Sequence, residues 1–349
     1  MGLEDSATMS RLPFDIRSLA IVFVFVMNTT IPGQQGFAIE DESSSSYQIL
    51  FESYGDQNWD ICRINPDGSG RTNITQTRDV HELYPQASPK GDKICFLVDT
   101  PNGRTTTRNL WMMNADGSNR EKIADGARHA CWSPDGKKIA FAKQEFPKFR
   151  LTDYVTKYLY IYNLESGEIT QHPNDKIEHI YVPTWSADGR WIITTVHGGM
   201  GFGHAIIGLE LNAPHRVVDL DISGCRPSLS LDGKQLTWSS NDHTIQVADV
   251  AIGKSGPELS NQRVLYHHDT MHLYHPEFSP DGKSISFSLG PGGRVPAKGP
   301  GTHTGVAEMV GVSGMWDIYL KQIDTEGDPQ QLTKSPKLSN KESDWILAN

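Results

Sequence analysis

Short apolar runs alternate with turn-forming residues from about Tyr47 to Leu347. A typical run, residues 138–141, has the length and alternation of a β-strand, and the turn Ser133-Pro134-Asp135-Gly136 precedes it. The 32 glycines and 20 prolines among 349 residues also favour many short strands over long helices. The pattern therefore predicts an all-β fold.

One thirteen-residue pattern recurs five times without gaps, and its copies begin 44 to 53 residues apart. The copies begin at Tyr84, His129, Val182, Arg226 and His275. In each copy an apolar strand ends at a serine, a tight turn follows, and a second strand begins, which is the layout of a β-hairpin. A second hairpin follows in most units, as at residues 111–118. Four strands in a repeat of this length are typical of one β-propeller blade.

The two ends of the repeat region complement each other. Residues 47–75 supply three strands without a first one, and residues 342–347 supply a single strand. Trp345 occupies the repeat position of Trp132 and Trp185. Pairing the terminal strand with the N-terminal three would complete a blade and remove the exposed edges of an open sheet. We therefore predict a six-bladed β-propeller over residues 47–349, closed by the C-terminal strand.

The repeats resemble those of the TolB-like β-propeller family. The resemblance rests on His129–Phe141, which contains Trp-Ser-Pro-Asp-Gly-Lys, and on Leu110–Asn119, which contains Leu-Trp-Met-Met-Asn-Ala-Asp-Gly-Ser-Asn. It extends over nearly all of residues 47–347, although the copy at 226–238 has Leu231 in place of proline. The resemblance implies the propeller fold, but such a motif specifies no reaction.

The first 46 residues have a different composition. Ser18–Met27 is an uncharged apolar stretch, preceded by Arg11 and Arg17 and followed by Gly36-Phe37-Ala38. This layout predicts a secretory signal peptide over residues 1–38 and a short linker over residues 39–46. An N-terminal strand and an uncleaved anchor are the alternatives. Export implies a periplasmic or secreted protein that meets a membrane only through its signal sequence.

Composition narrows the range of partners. The formal net charge is −10, which argues against a basic nucleic-acid-binding surface. Export would permit disulfides, but three of the four cysteines, Cys62, Cys95 and Cys131, lie in strand-like runs, and Cys225 completes the set. None has the spacing of a metal-binding pair, so buried small side chains are the favoured interpretation and the pairing stays open.

The strand order assigns the loops to two faces. The short Ser-Pro-Asp-Gly and Ala-Asp-Gly-Ser turns share one face, the turn face, and their residues indicate a structural role. The links between second and third strands lie on the opposite face, the loop face. They are long and unequal, and lie at residues 99–108, 144–156, 196–204 and 290–314. Long loops in a compact fold are usually functional or mobile, which favours the loop face for binding.

The first strand of each blade is the innermost, so its start should border the central channel. Counted from the turn serine, position −7 is His81, His179 and His272 in three blades. Position −4 is polar in five blades and gives the predicted ligand-binding set Tyr84, His129, Arg226, His275 and Glu342. Neutral imidazoles bind divalent transition metals, so His81, His179 and His272 are candidate metal ligands. Arginine beside histidine suits a carboxylate or a sugar acid. A wetted polar rim without any ligand is the alternative.

Three functions fit these observations. The favoured one is a monomeric binding module that presents its histidine-lined face to a protein, a glycan or a small acidic ligand. The second is a metal-dependent oligouronide lyase, because some lyases of this kind resemble such propellers. The third is an envelope assembly factor in the TolB manner. The sequence contains neither a G-x-S-x-G nor an H-E-x-x-H motif, so it identifies no catalytic residue and no certain cofactor.

Overall fold

A computed structural model of the chain describes residues 47–56, 58–102, 105–144, 156–291 and 315–348. The predicted signal peptide and linker lie outside the described residues. So do most of the loop at 144–156 and nearly all of that at 290–314. The described part contains strands and turns, and none of it forms a helix with the length and hydropathy needed to cross a bilayer.

Twenty-four strands form six four-stranded antiparallel sheets, each a blade. Blade 1 comprises β24 (Ser339–Leu347), β1 (Tyr47–Gly55), β2 (Asn58–Ile64) and β3 (Thr72–Asn73). Blade 2 comprises β4 (His81–Ala87), β5 (Lys93–Asn102), β6 (Thr105–Asn114) and β7 (Glu121–Asp125). Blade 3 comprises β8 (Ala127–Trp132), β9 (Lys138–Gln144), β10 (Thr156–Asn163) and β11 (Ile169–Gln171).

The other three blades follow the same order. Blade 4 comprises β12 (Ile180–Trp185), β13 (Trp191–His197), β14 (His204–Glu210) and β15 (Val217–Asp219). Blade 5 comprises β16 (Cys225–Leu229), β17 (Gln235–Asn241), β18 (Thr244–Ile252) and β19 (Pro257–His267). Blade 6 comprises β20 (His272–Phe278), β21 (Ser284–Gly290), β22 (Asp317–Gln322) and β23 (Gln330–Gln331). The predicted six-bladed propeller is confirmed.

Blade 1 closes the ring as predicted. β24 pairs antiparallel with β1, and Trp345 lies opposite Ile49 in the register. The first strands of neighbouring blades contact one another in the order β24, β4, β8, β12, β16, β20 and back to β24. These six inner strands therefore surround the propeller axis.

The side chain of the repeated turn serine stabilises the hairpin that contains it. In blade 3, Ser133 Oγ donates a hydrogen bond to Asp135 Oδ1 (2.6 Å) and accepts one from the backbone N–H of Lys138 (2.9 Å). Gly136 has a φ of 68°, and its N–H donates to the carbonyl of Ser133. Glycine suits this position because a side chain strains a left-handed backbone. The Ser-x-Asp-Gly pattern thus has a local structural cause.

Apolar side chains pack between adjacent blades. One cluster joins Leu50 and Ile346 of blade 1 to Phe96 of blade 2. Of the tryptophans expected in blade packing, Trp132, Trp185, Trp238 and Trp316 are buried, and Trp111 is half-buried. All four cysteines are free thiols, and Cys62, Cys95 and Cys131 are buried, in agreement with the favoured interpretation.

Candidate functional site

Each inner strand carries a backbone irregularity at position −4. The six residues there have left-handed φ values between 42° and 58°: Tyr84, His129, Val182, Arg226, His275 and Glu342. The antiparallel register shifts at this point in every blade, as between Leu83 and Gln86 of β4. Such a bulge bends a strand and redirects a side chain. Because it recurs in all six blades, it is part of the repeat.

The preceding blade supplies an acceptor for several of the bulged backbone N–H groups. Glu52 of β1 accepts from Tyr84 N (2.9 Å), and Thr195 of β13 accepts from Arg226 N (2.9 Å). Ser288 of β21 accepts from Glu342 N (3.1 Å). The acceptors occupy one repeat position on the second strand of each blade. A buried N–H without a partner is costly, so these side chains stabilise the bulges.

The side chains at position −4 meet at the axis and form what we call the axial ring. The ring of Tyr84 lies 5.1 Å from that of His129 and 5.2 Å from that of His275, which belong to blades 3 and 6. Nε2 of His275 lies 3.0 Å from Oε2 of Glu342 in blade 1. Arg226 is 6% exposed and the other five are 2% exposed or less.

The axial ring contains all five predicted ligand-binding residues, but their predicted place at an open channel mouth is wrong. The structure buries Tyr84, His129, His275 and Glu342 inside the propeller and leaves Arg226 almost buried. The bulge explains the difference, because it brings these side chains together across the axis. Burial lowers the pKa of His275 to about 3 and that of His129 well below its ordinary value, with Arg226 and Arg128 respectively adding to the effect. Both imidazoles are therefore neutral near pH 7.

A cavity of about 210 Å³ opens on the turn face, and we call it the turn-face cavity. All six blades contribute to its lining, which places it on the propeller axis. Its lining is mixed: aromatic and proline side chains, among them Trp132, Trp185, Trp345 and Phe278, lie beside polar ones. Leu231 at its rim is 56% exposed. The short turns, for which the sequence predicted a structural role, also border a cavity.

Two carboxyl groups from adjacent blades line this cavity. Glu277 of β20 accepts a hydrogen bond from Ser228 Oγ (2.5 Å), and its Oε1 lies 3.5 Å from Nδ1 of His275. Asp344 of β24 accepts from the backbone N–H groups of Ala87 (2.6 Å) and Trp345 (2.8 Å). Burial raises the pKa of both groups, that of Asp344 to about 6, and the charge of Asp344 raises that of Glu277 further. The pair therefore retains a proton at pH values where isolated carboxyl groups are both charged.

We expect Glu277→Gln to stabilise the protein at neutral pH. The folded pair binds protons more tightly than the unfolded chain, so it lowers the free energy of unfolding as the pH rises from about 4 through 6. Removing one charge should raise that free energy by about 1–3 kcal/mol at pH 8 and by much less at pH 4.5. Urea unfolding across this pH range measures the difference.

The matched control for this pH series is Glu165→Gln. Glu165 is an exposed carboxylate outside the turn-face cavity, two residues after Asn163, where β10 ends. Its substitution should change the free energy of unfolding little, because the side chain is exposed to solvent. A pH-independent effect of Glu277→Gln would show that the two cavity carboxyl groups do not interact.

The predicted metal ligands lie in three different blades and have separate partners. His81 Nδ1 accepts from the backbone N–H of Trp59 (3.3 Å). His179 Nδ1 lies 2.9 Å from the carbonyl oxygen of Gly198, and His272 Nδ1 lies 3.3 Å from the hydroxyl of Tyr274. Within the described ranges, no three or more His, Cys, Asp or Glu side chains are grouped so that they could hold a metal ion. The metal site therefore stays a prediction from sequence.

Arg226, which is almost buried in the axial ring, interacts with two tyrosines whose hydroxyls have partners at the loop face. Its guanidinium lies 4.4 Å from the ring centre of Tyr274, whose hydroxyl donates to Asp242 (2.5 Å). Tyr181 is 3.2 Å from Nε2 of His204, an exposed histidine that begins β14. These residues were only partly expected: Arg226 was predicted, whereas Tyr181, Tyr274 and Asp242 were not.

Glu277 and Asp344 were also missed, although the repeat contains a signal for them. Position −2, two residues before the turn serine, is Gln86, Cys131, Thr184, Ser228, Glu277 and Asp344 in the six blades. Two acids occupy one repeat position in the fifth copy and in the terminal strand, and they become neighbours because β20 and β24 are adjacent inner strands. The prediction of closure and the alignment together could have found the pair.

No family model matches the chain, but sequence and structure comparisons find similar proteins. Dipeptidyl-peptidase 5 of Porphyromonas endodontalis is 23% identical over 254 residues, which is 71% of this chain. The chain spans only 33% of that peptidase.

Two TolB structures are similar to the described propeller. TolB of Acinetobacter baumannii is 17% identical with a TM-score of 0.61, and the match covers 86% of this chain and 66% of that one. A putative TolB of Agrobacterium tumefaciens is 16% identical with a TM-score of 0.54, and the match covers 86% of this chain and 99% of that one. Likeness at this level of identity shows the fold alone. The chain is thus a six-bladed β-propeller with a TolB-like fold.

Proposed function

We propose that this protein is a binding module that holds a short segment of a protein partner in the turn-face cavity. The observation that carries the proposal is a cavity on the propeller axis, bordered by all six blades, whose inner strands meet at a buried axial ring. Concave sites that combine apolar side chains with convergent polar groups are typical of ligand binding. The described site contains no recognisable catalytic arrangement, so binding is the function that the geometry supports best.

The size of the cavity favours side chains over a separate small molecule. Its volume of about 210 Å³ is below the roughly 300–1,000 Å³ of pockets that hold small ligands and cofactors. One or two side chains of a docked segment suit this space. The exposed Leu231 at the rim and the aromatic walls can contact the rest of the segment.

Export is part of the proposal. Its support is the basic, apolar and small-residue pattern of residues 1–38. The similarity to TolB supports the fold, and it identifies no partner for this protein. Mass spectrometry of the exported protein should find a new N-terminus near Ile39, and a cytoplasmic chain with an intact N-terminus would contradict export.

Selection of random peptides displayed on phage, with the full-length protein as bait, tests the binding proposal. Synthetic copies of the enriched peptides should bind the wild-type protein and should bind Leu231→Gln about tenfold more weakly. Val264→Gln is the matched control, because Val264 is also 56% exposed but lies on the outer strand β19. Failure to enrich any peptide, or equal weakening by both variants, would contradict a segment-binding role for the turn-face cavity.

The loop face supports a second candidate, binding of a small acidic ligand. The specific observation is Arg226, which lies beside Tyr274 and within electrostatic reach of His204. A fluorescence titration with D-galacturonate should show binding that weakens in His204→Ala and persists in His267→Ala, a change at the end of outer strand β19. Identical titrations of all three proteins would remove this candidate.

A further inference from the structure

The turn-face cavity combines a carboxyl pair with aromatic walls, and we infer that it receives one basic side chain, arginine or lysine, of the bound segment. The inference rests on the proposed function, because it names the chemistry that the turn-face cavity would select. It also makes a separate claim, which can fail while segment binding stands.

Charge complementarity is the first argument. Glu277 and Asp344 lie on adjacent blades 6 and 1, and both border the cavity. Among the described residues that line it there is no lysine and no arginine. A cation entering here would meet two carboxyl groups that already hold fixed positions through hydrogen bonds from Ser228 and Ala87. Charge-assisted hydrogen bonds to carboxylates are about twice as strong as neutral ones.

The walls fit the same ligand. Trp132, Trp185, Trp345 and Phe278 line the same cavity as the two carboxyl groups. Aromatic faces attract guanidinium and ammonium groups, and they also pack against the methylene stem of a long basic side chain. Trp132 and Trp345 are held in place because their indole N–H groups donate to the carbonyls of Gln86 and Glu277. Two of the four aromatic side chains are thus fixed by hydrogen bonds within the protein.

The groups behind Glu277 do not neutralise it. Nδ1 of His275 lies 3.5 Å from Oε1 of Glu277, and burial keeps that imidazole neutral. Tyr84 and Cys131 are buried, and burial raises the pKa of each, so both stay protonated. Arg226 and Lys341 influence His275 electrostatically, while Glu342 of the axial ring lies beside it. A proton bound by the pair therefore reduces the repulsion between the carboxylates of Glu277 and Asp344, and a bound cation can replace that proton.

The test uses N-acetyl-arginine amide as the probe and N-acetyl-citrulline amide as its uncharged isostere. Binding to the full-length protein is followed by saturation-transfer NMR and by the tryptophan fluorescence of the protein. The arginine probe should bind about tenfold or more tightly than the citrulline probe. Its affinity should increase from pH 5 to pH 8, because binding displaces the proton of the carboxyl pair. Glu277→Gln and Asp344→Asn should each abolish the preference, and Glu165→Gln should retain it.

The outcomes separate this inference from the proposed function. Equal binding of the two probes, or a preference that survives either Glu277→Gln or Asp344→Asn, would overturn the basic-side-chain site. Selected peptides that need Leu231 but contain no arginine or lysine would overturn it too, and would leave segment binding in place. Binding of the arginine probe without any enriched peptide would support the basic site and contradict the proposed function. Urea unfolding of each variant shows that a lost preference does not come from a lost fold.

Discussion

A chain truncated after Lys337 should not form a stable propeller. The truncation removes β24, the inner strand of blade 1, and with it Trp345 and Ile346. These two side chains belong to the apolar clusters that join blade 1 to blades 6 and 2. Each buried side chain of this size contributes about 1.5–3 kcal/mol, so the loss approaches the whole stability of a typical domain once the backbone pairing is included.

The exposed edge adds a second consequence. Without β24, strand β1 would present unpaired backbone groups beside Ile49, Leu50 and Phe51, which are fully buried in the intact protein. An apolar strand edge of this kind promotes association between chains. We therefore expect the truncated protein to elute as aggregates in size-exclusion chromatography and to show no cooperative thermal transition by circular dichroism.

Two controls define the truncation experiment. Removal of only residues 348 and 349 should preserve the transition, because β24 ends at Leu347. A synthetic peptide of residues 338–347, added during refolding, should restore part of the monomeric fraction by strand addition. A monomeric truncated protein with a sharp transition would show that blade 1 is dispensable for closure.

The repeat made the architecture predictable. Five copies of one hairpin pattern set the blade length, and the unmatched strands at the two ends could be completed only by pairing with each other. Trp345 carried the decisive information, because it falls at the repeat position of Trp132 and lies opposite Ile49 in the structure. Local turn chemistry and long-range closure pointed to the same fold, which is the condition under which a sequence is easiest to interpret.

The depth of the site along the channel could not be predicted. Simple strand alternation gives no sign that position −4 adopts a left-handed backbone, since Tyr84, Val182 and Arg226 share no residue type that favours it. The bulge turns a predicted rim into the buried axial ring. The turn-face cavity could not be predicted either. Glu277 and Asp344 interact there only because strands that are distant in sequence are neighbours in the fold.

Lys341→Met should destabilise the protein by about 3–5 kcal/mol, because it breaks a buried ion pair and leaves one charge inside. Lys341 is fully buried, its Nζ lies 3.4 Å from Oε1 of Glu52, and it lies 4.5 Å from the ring centre of Trp59. Methionine keeps the length of the side chain, so packing changes little. Urea unfolding at pH 7 measures the loss.

The repeat itself supplies the compensating change for Lys341→Met. Glu52 lies opposite Lys341, and the same positions of blade 4 hold Thr195 opposite Tyr181. Thr195 accepts a hydrogen bond from the backbone N–H of Arg226, just as Glu52 accepts one from that of Tyr84. Glu52→Thr therefore retains a hydrogen-bond acceptor for the backbone of the next blade. The double variant Glu52→Thr/Lys341→Met should therefore recover most of the lost stability, since replacing both members of a buried ion pair is often neutral.

A double variant as unstable as Lys341→Met alone would contradict this explanation. It would show that the loss of stability comes from packing around Trp59 and not from the carboxylate of Glu52, which has lost Lys341 as its partner. In that case the side chains of Glu52 and Lys341 would stabilise blade 1 mainly by packing, and the attraction between their charges would contribute less.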